Sequence, residues 1–277
     1  MPLSVITLNH QRETFLEAQI NSLQKVLAQT PKIVVEHVVV NVASPGPQLP
    51  ETVSNYTCVQ YTTTLDKGLL NFSKARNLGA AKASHDALIF LDADCVVDDN
   101  FFTEYVHCLT PDYRGIVHGH AWYMRQGVTY AQMQLDRATH TQFYRPGLDV
   151  RAAQPMALTN AYELFSSIHF GCLRSTFESV GGFDEEYRGY SCEDTDFGQR
   201  LRKLKIPLSM NKAEAFHQYH KPSGAPFGHV VQVARNANYF ASKWGWLPAR
   251  GWLDAFGEHG LVTVEDERVI VLSKEQK

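Results

Sequence analysis

One short stretch constrains this chain most. Ala87-Leu88-Ile89-Phe90-Leu91 runs straight into Asp92-Ala93-Asp94, with Cys95-Val96-Val97 behind it. An apolar run this short reads as a strand buried on both faces, as in a parallel sheet. The two carboxylates then stand at its carboxyl end, where open α/β sheets receive their ligands. Buried without partners they would cost too much, so they face a cleft. Two hard oxygen donors one residue apart suit Mg2+ or Mn2+, ions that commonly hold a phosphate-bearing substrate. A strand end followed by an acidic turn accounts for the same letters, and spacing alone does not separate the two readings.

The flanking sequence supplies the partners such a strand needs. Leu3 to Leu8 reads as a first strand, and Glu13 to Gln29 as a helix with Phe15, Leu16, Ile20, Leu23 and Leu27 on one side. Lys32 to Val40 is a second strand and Cys58 to Tyr61 a short third. Asn71 to Ala83 forms a helix that feeds Ala87. Strands alternating with helices predict βαβ units and a mostly parallel sheet. Further on, helices are expected over Asn100–Leu109, Val128–Gln142, Arg174–Val180, Thr195–Leu204 and His229–Lys243. Strands are expected over Gly115–Trp122, Tyr162–His169 and up to Phe216. Gly181-Gly182 is a helix stop. Arg145 to Asn160, with Pro146, Gly147 and Pro155, reads as a long loop, either a lid or a surface excursion.

With 277 residues the chain allows one large α/β domain, or one domain with an appendage. A net charge of -3 gives no electrostatic case for nucleic acid. The first residues carry neither a basic segment nor a long apolar one, so no signal peptide or membrane span is expected there. Five cysteines without CxxC spacing argue against a disulfide framework and fit reduced thiols in a cytoplasmic protein.

Two other clusters can carry chemistry. Glu193-Asp194-Thr195-Asp196 puts three carboxylates at a helix start. Acids favour that position through the helix dipole, but three within four residues exceed what capping needs, and one beside a bound hydroxyl can act as a general base. His217 and His220 follow a strand end and suit metal ligation, although a chain with 12 histidines produces such pairs by chance.

Taken together, the chain resembles the GT-A fold glycosyltransferases, near the family-2 enzymes with a galactosyltransferase-like C-terminal region. Ser4-Val5-Ile6-Thr7-Leu8-Asn9 with Arg12 is similar to the first strand and nucleotide loop, and Asn71 to Gly79 to the helix before the metal motif. Leu91-Asp92-Ala93-Asp94 matches DxD. Val180-Gly181-Gly182-Phe183-Asp184-Glu185 through Glu193-Asp194-Thr195-Asp196-Phe197 resembles the acceptor and base region. The resemblance covers roughly residues 3 to 220 and implies an α/β GT-A fold, Rossmann-like, with a mostly parallel central sheet flanked by helices. It divides the chain into a nucleotide-sugar-binding half (1–125), an acceptor-binding and catalytic half (126–228) and a C-terminal helical, aromatic extension (229–277).

The resemblance also implies roles. Asp94 ligates a divalent ion, Mn2+ or Mg2+, with His217 and, more weakly, Asp92; His220 is the fallback ligand. Thr7, Asn9, Arg12, Asn41 and Arg76, with Asp92, Ala93 and Asp94, line the pocket for a UDP-sugar. Asp194 is the general base and, with Glu193, binds a glycan or glycolipid acceptor; direct displacement inverts the anomeric centre. The sequence departs from the pattern at Asn41-Val42-Ala43-Ser44, where paired acids with Gly-Ser are usual, and at Tyr190-Ser191-Cys192. A nucleotidyltransferase is disfavoured because Asn9-His10-Gln11-Arg12 has no glycine, and a degenerate binding module because DxD, ED and histidine are all intact. Trp244, Trp246, Trp252 and Phe256 either pack over the core, stack on acceptor sugars, or touch the inner face of a membrane as a peripheral contact.

Overall fold

The structure, a computed structural model, describes residues 2–49, 55–135, 141–143, 157–159, 161–220 and 225–272. The first half alternates strand and helix: β1 (Pro2–Asn9), α1 (Glu13–Gln29), β2 (Val34–Val42), β3 (Tyr56–Thr63), α2 (Phe72–Lys82) and β4 (Ala87–Leu91). Then come β5 (Cys95–Val97), α3 (Phe101–Cys108), β6 (Ile116–Met124), α4 (Tyr130–Leu135), β7 (Thr141–Phe143) and β8 (Ala157–Thr159). β9 (His169–Leu173), α5 (Arg174–Val180), α6 (Glu193–Lys203) and β10 (Leu208–His217) follow. The chain closes with α7 (Val230–Trp244), α8 (Arg250–Glu258) and the hairpin β11 (Val262–Glu265) and β12 (Arg268–Val271).

The central sheet has the order β3-β2-β1-β4-β9-β6-β10-β5, with β7 beside β6 and β8 beside β10. β1 to β4 pair in parallel, and β6 pairs in parallel with β10. β9 is antiparallel to both β4 and β6, and β5 is antiparallel to β10. Six strands of the path therefore share one direction. Every residue of β4 is buried, as its continuous apolar run requires.

Two apolar layers sandwich the sheet. On one face Leu16, Ile20, Leu23 and Leu27 of α1 meet Val5, Ile89 and Phe102. On the other, aromatic rings stack: Phe90 on Phe170 at 4.5 Å and Phe183 on Phe197 at 4.4 Å between ring centroids. The phenylalanines of the GGFDE and EDTDF stretches are thus core residues, and their packing fixes where α6 begins. Asn71 caps α2, its side chain accepting from the Lys74 amide at 2.9 Å. α2 lies so close to β1 that a Cβ at Gly79 would stand 2.4 Å from Ile6 Cγ2. Gly181 ends α5 at φ +82°, the left-handed cap predicted from sequence.

Two expectations shift. Tyr162 to His169 is not a strand: Tyr162–Leu164 is one 3-10 turn, and the strand starts at His169. The reason is that Ser167 gives its amide to Asp194 rather than to a sheet neighbour. The helix expected to reach Gln142 is strand at Thr141–Phe143, because β6 offers an open edge there. Most of Arg145–Asn160 lies outside the described residues. The aromatic C-terminal stretch spans the end of α7 and α8: Trp244 closes α7, Trp246 in the link is exposed, and α8 buries Leu253 and Phe256 and sets Trp252 against Tyr190 at 5.6 Å. No described helix is long and apolar enough to cross a membrane.

Candidate active site

The site is built where β4 ends. Asp92, Ala93 and Asp94 form a tight link between β4 and β5, closed by Cys95 N–H donating to Asp92 O at 3.0 Å. Ile168 O accepts from the Asp92 amide at 2.9 Å, tying the link to the entry of β9. Gln19, buried on α1, donates from Nε2 to Asp92 O at 2.6 Å and to Cys95 O at 3.1 Å. Sequence reasoning missed Gln19, a polar residue on the apolar side of a helix.

β10 carries the next pair of groups. It pairs His217 with Cys95, and the Gln218 amide donates to Asp94 O at 2.7 Å. Both histidines thereby reach one carboxylate oxygen: His217 Nε2 and His220 Nε2 each lie 3.3 Å from Asp94 Oδ2. One ligand atom from each of the three residues falls within 4.8 Å of the others. His217 Nδ1 lies 3.0 Å from Gln218 O, which fixes the ring with Nε2 toward Asp94. Tyr123 stacks on His217 at 4.5 Å, and Phe15 meets His220 edge-on at 6.0 Å. His220 therefore joins the set beside His217 rather than substituting for it, and Asp92 falls outside it.

The ionisation of the acidic pair is split. Burial opposes the charge on Asp94, but hydrogen bonds and charge from His217 and His220 outweigh it and lower its pKa. Burial, then the Asp94 charge, raises Asp92 well above the usual carboxylate range, with Arg76 pulling the other way. Asp94 Oδ1 is buried without a hydrogen-bond partner among the described residues. An orphaned carboxylate oxygen beside two imidazole nitrogens is a donor set that fits a divalent ion such as Mn2+.

α6 presents the second motif, and Asp92 links it to the first, since the charges of Arg76, Asp194 and Glu193 act on Asp92 together with that of Asp94. Arg76 of α2 donates from Nη1 to Glu193 Oε1 at 3.3 Å and from Nη2 to Ser167 Oγ at 2.6 Å, and lies 4.0 Å from Asp194 Oδ1. Its guanidinium carbon sits 5.0 Å from the Phe183 ring centroid. Ser167 N and Oγ both donate to Asp194 Oδ2, at 3.0 and 3.1 Å. Asp194 Oδ1 is left buried with no hydrogen-bond partner among the described residues. Burial and the neighbouring Asp194 raise Glu193, against the pull of Arg76. Cys192 is no nucleophile: burial pushes its thiol up to about 12, with Glu193 and Asp196 adding to it. The third acid, Asp196, is fully buried and belongs to the packing of α7, not to the cleft.

The remaining pocket residues divide. Asn9 Nδ2 donates to Asn41 Oδ1 at 2.8 Å, and Asn41 Nδ2 to Gln60 Oε1 at 2.9 Å, an amide chain across the ends of β1, β2 and β3. Arg12 lies over the Phe15 ring at 5.4 Å, next to His220. Ala93 is buried. Thr7 has no exposure, like Asn9 and Asn41, and its hydroxyl is committed to Gln19 Oε1 at 3.0 Å and His37 Nε2 at 2.9 Å. It braces the Asp92–Cys95 link through Gln19.

Comparison with known proteins gives the class first. Residues 4–227 match the family described as glycosyltransferase like family 2. The fold is similar to that of S. aureus TarS in complex with UDP-GlcNAc (TM-score 0.55, 16% identity, 93% of this chain and 80% of that one). It is also similar to that of GalNAc-T7 with UDP, GalNAc and Mn2+ (TM-score 0.55, 16% identity, 87% of this chain and 50% of that one). A Drosophila β-1,4-galactosyltransferase 7 mutant complexed with manganese, UDP-Gal and xylobiose is more distant (TM-score 0.46, 15% identity), and the chain spans 64% of its length. A search of curated protein sequences finds no match. The fold is GT-A, and the protein is a glycosyltransferase. The chain belongs to glycosyltransferase like family 2.

Proposed function

We propose that this protein transfers a hexose or N-acetylhexosamine, galactose or N-acetylgalactosamine first, from a UDP-sugar to a glycan hydroxyl, with inversion. The observation that carries the reading is that the Asp94–His217–His220 group and the Arg76-bound Glu193 and Asp194 meet at Asp92, on which the charges of Asp94, Arg76, Asp194 and Glu193 all act. UDP or a UDP-sugar in the TarS and GalNAc-T7 structures, and Mn2+ in the latter, support donor and metal.

Asp94, His217 and His220 would hold the divalent ion, which when bound offsets charge on the departing diphosphate as a Lewis acid. The Asn9–Asn41–Gln60 amides stand at the sheet edge where open α/β sheets take their ligands, and suit a nucleobase or ribose. Two donors from Ser167 hold Asp194 Oδ2, leaving Oδ1 to take the proton of the acceptor hydroxyl as it attacks the anomeric carbon. Glu193, raised in pKa by burial and fixed by Arg76, orients that hydroxyl. Asp194 as base and Glu193 as the group that orients the hydroxyl are the parts a single displacement needs.

The test is a donor panel of UDP-, GDP- and dTDP-sugars with and without Mn2+. Metal-dependent UDP release with an acceptor glycan is expected, and the product's anomeric configuration by NMR should be opposite to the donor's. Intact UDP binding without turnover on any donor would replace the enzyme with a sugar-nucleotide-binding module.

A further inference from the structure

The turn that delivers Glu193 and Asp194 runs against its own backbone preference. Ser191 (φ +83°) and Cys192 (φ +78°) are consecutive non-glycine residues in the left-handed region, where a Cβ crowds the carbonyl. Such a conformation persists only where its surroundings over-determine it. Here the anchor comes from the C-terminal helix. Asn236 of α7 is 1% exposed, and its Nδ2 lies 3.1 Å from Arg188 O, 2.9 Å from Tyr190 O and 3.0 Å from Ser191 O. Its Oδ1 accepts from Arg235 Nε and Nη2 at 3.2 and 2.8 Å. Three acceptors around its nitrogen and a guanidinium on its oxygen leave the carboxamide one orientation, and Arg235 Nη2 also donates to Arg188 O. From the opposite side the Gly189 amide donates to Leu70 O at 2.6 Å. The Cys192 carbonyl then accepts the Asp196 amide at 2.9 Å, the first turn of α6.

We propose that Asn236 is a positioning residue for the transfer: its carboxamide holds the left-handed Ser191–Cys192 turn and thereby fixes where Glu193 and Asp194 stand opposite Asp94. The proposal rests on the roles given above to those two acids. Arg76 and Ser167 fix the tips of the carboxylates; Asn236 fixes the backbone they spring from. The extension beyond residue 229 is in this way part of the catalytic apparatus. A relaxed turn would displace the base, and a displacement of about 1 Å at a reacting group costs on the order of 100-fold in rate.

Asn236→Asp tests this with the side-chain volume and the acceptor toward Arg235 retained and both N–H donors toward the turn carbonyls lost. Its kcat should fall at least about tenfold, with donor KM within about twofold of wild type. Amide hydrogen exchange should rise over 189–193 and stay unchanged in β4 and α2. Ser191→Gly in the same background should restore part of kcat, because glycine takes positive φ without a Cβ penalty. Wild-type kcat and exchange in Asn236→Asp would overturn the proposal. So would a loss that accompanies exchange rising throughout the chain and that Ser191→Gly does not relieve. If the wild-type chain transfers no sugar from any donor, the functional reading fails instead. Exchange alone then decides the anchor: selective loosening of 189–193 upholds it, and unchanged exchange overturns it.

Discussion

Asp196 offers the sharpest test of how the site is held. In sequence it is one more acid at a helix start, yet its side chain has no exposure and gathers four donors. Oδ1 accepts from Trp244 Nε1 at 2.9 Å, Tyr187 OH at 3.2 Å and Lys243 Nζ at 2.5 Å, and Oδ2 from Arg200 Nε at 2.8 Å. Asp196→Ala strands these groups unequally. Lys243 is partly exposed and keeps Asp184 at 2.6 Å, so it loses little. Arg200 retains the Val180 and Gly182 carbonyls through Nη1 but loses its only carboxylate partner among the described residues. Trp244 and Tyr187 each lose a neutral hydrogen bond worth about 1 kcal/mol net. Breaking a buried ion pair by removing one partner costs about 3–5 kcal/mol, and the geometry here places Asp196→Ala within that range. Urea denaturation at pH 7 should show a loss of that size, with a thermal midpoint lower by roughly 10 °C. Mn2+–UDP affinity of the folded protein should change far less, since the cleft groups are untouched. A loss below about 1 kcal/mol would refute the reasoning, because the carboxylate would then not be what joins α6 to α7.

Asp94→Ala, His217→Ala and His220→Ala should each weaken Mn2+ binding at least tenfold by calorimetry, with circular dichroism unchanged. Asp194→Asn should lower kcat by about 100- to 10,000-fold while donor KM holds, and Glu193→Gln should act mainly on acceptor KM; steady-state kinetics with each substrate varied separates the two. Burial holds His37 at about 3, neutral in the fold, so only the unfolded chain gains its proton as pH falls below about 6.5. Stability should therefore drop by up to about 1.4 kcal/mol per pH unit between roughly pH 6.5 and pH 3 through this group. Urea midpoints at pH 7 and 5 should diverge less in His37→Gln than in wild type, and equal divergence would remove His37 as the cause.

Much of the site was legible because its letters are chemically unusual where they stand. Two aspartates closing an apolar strand, and Glu193-Asp194 after Gly181-Gly182-Phe183, could be read without coordinates. What the sequence does not show is the partner each polar group takes. Thr7 comes to the pocket by resemblance alone, and only the fold shows Gln19 and His37 taking its hydroxyl. Arg76 comes there the same way, and only the fold shows Glu193 and Ser167 at its guanidinium. His220 looked secondary to His217, because sequence spacing cannot show the chain folding back over Asp94 after β10. Asn236 carried no signal at all: one asparagine in an amphipathic helix, decisive only through a turn some 45 residues earlier in the chain.

By itself the sequence determined the elements and the chemistry that some of them carry. Hydrophobic runs and their periods are local, and acids that cannot be buried cheaply announce a cleft. Tertiary structure decided which of those groups meet. The antiparallel pairing of β5 with β10 brings His217 and His220 to Asp94, over more than a hundred residues of chain. The pairing of β9 with β4 carries Ser167 to Asp194 and Arg76. Strand order and register rest on packing summed over the whole sheet, a quantity that no single segment contains.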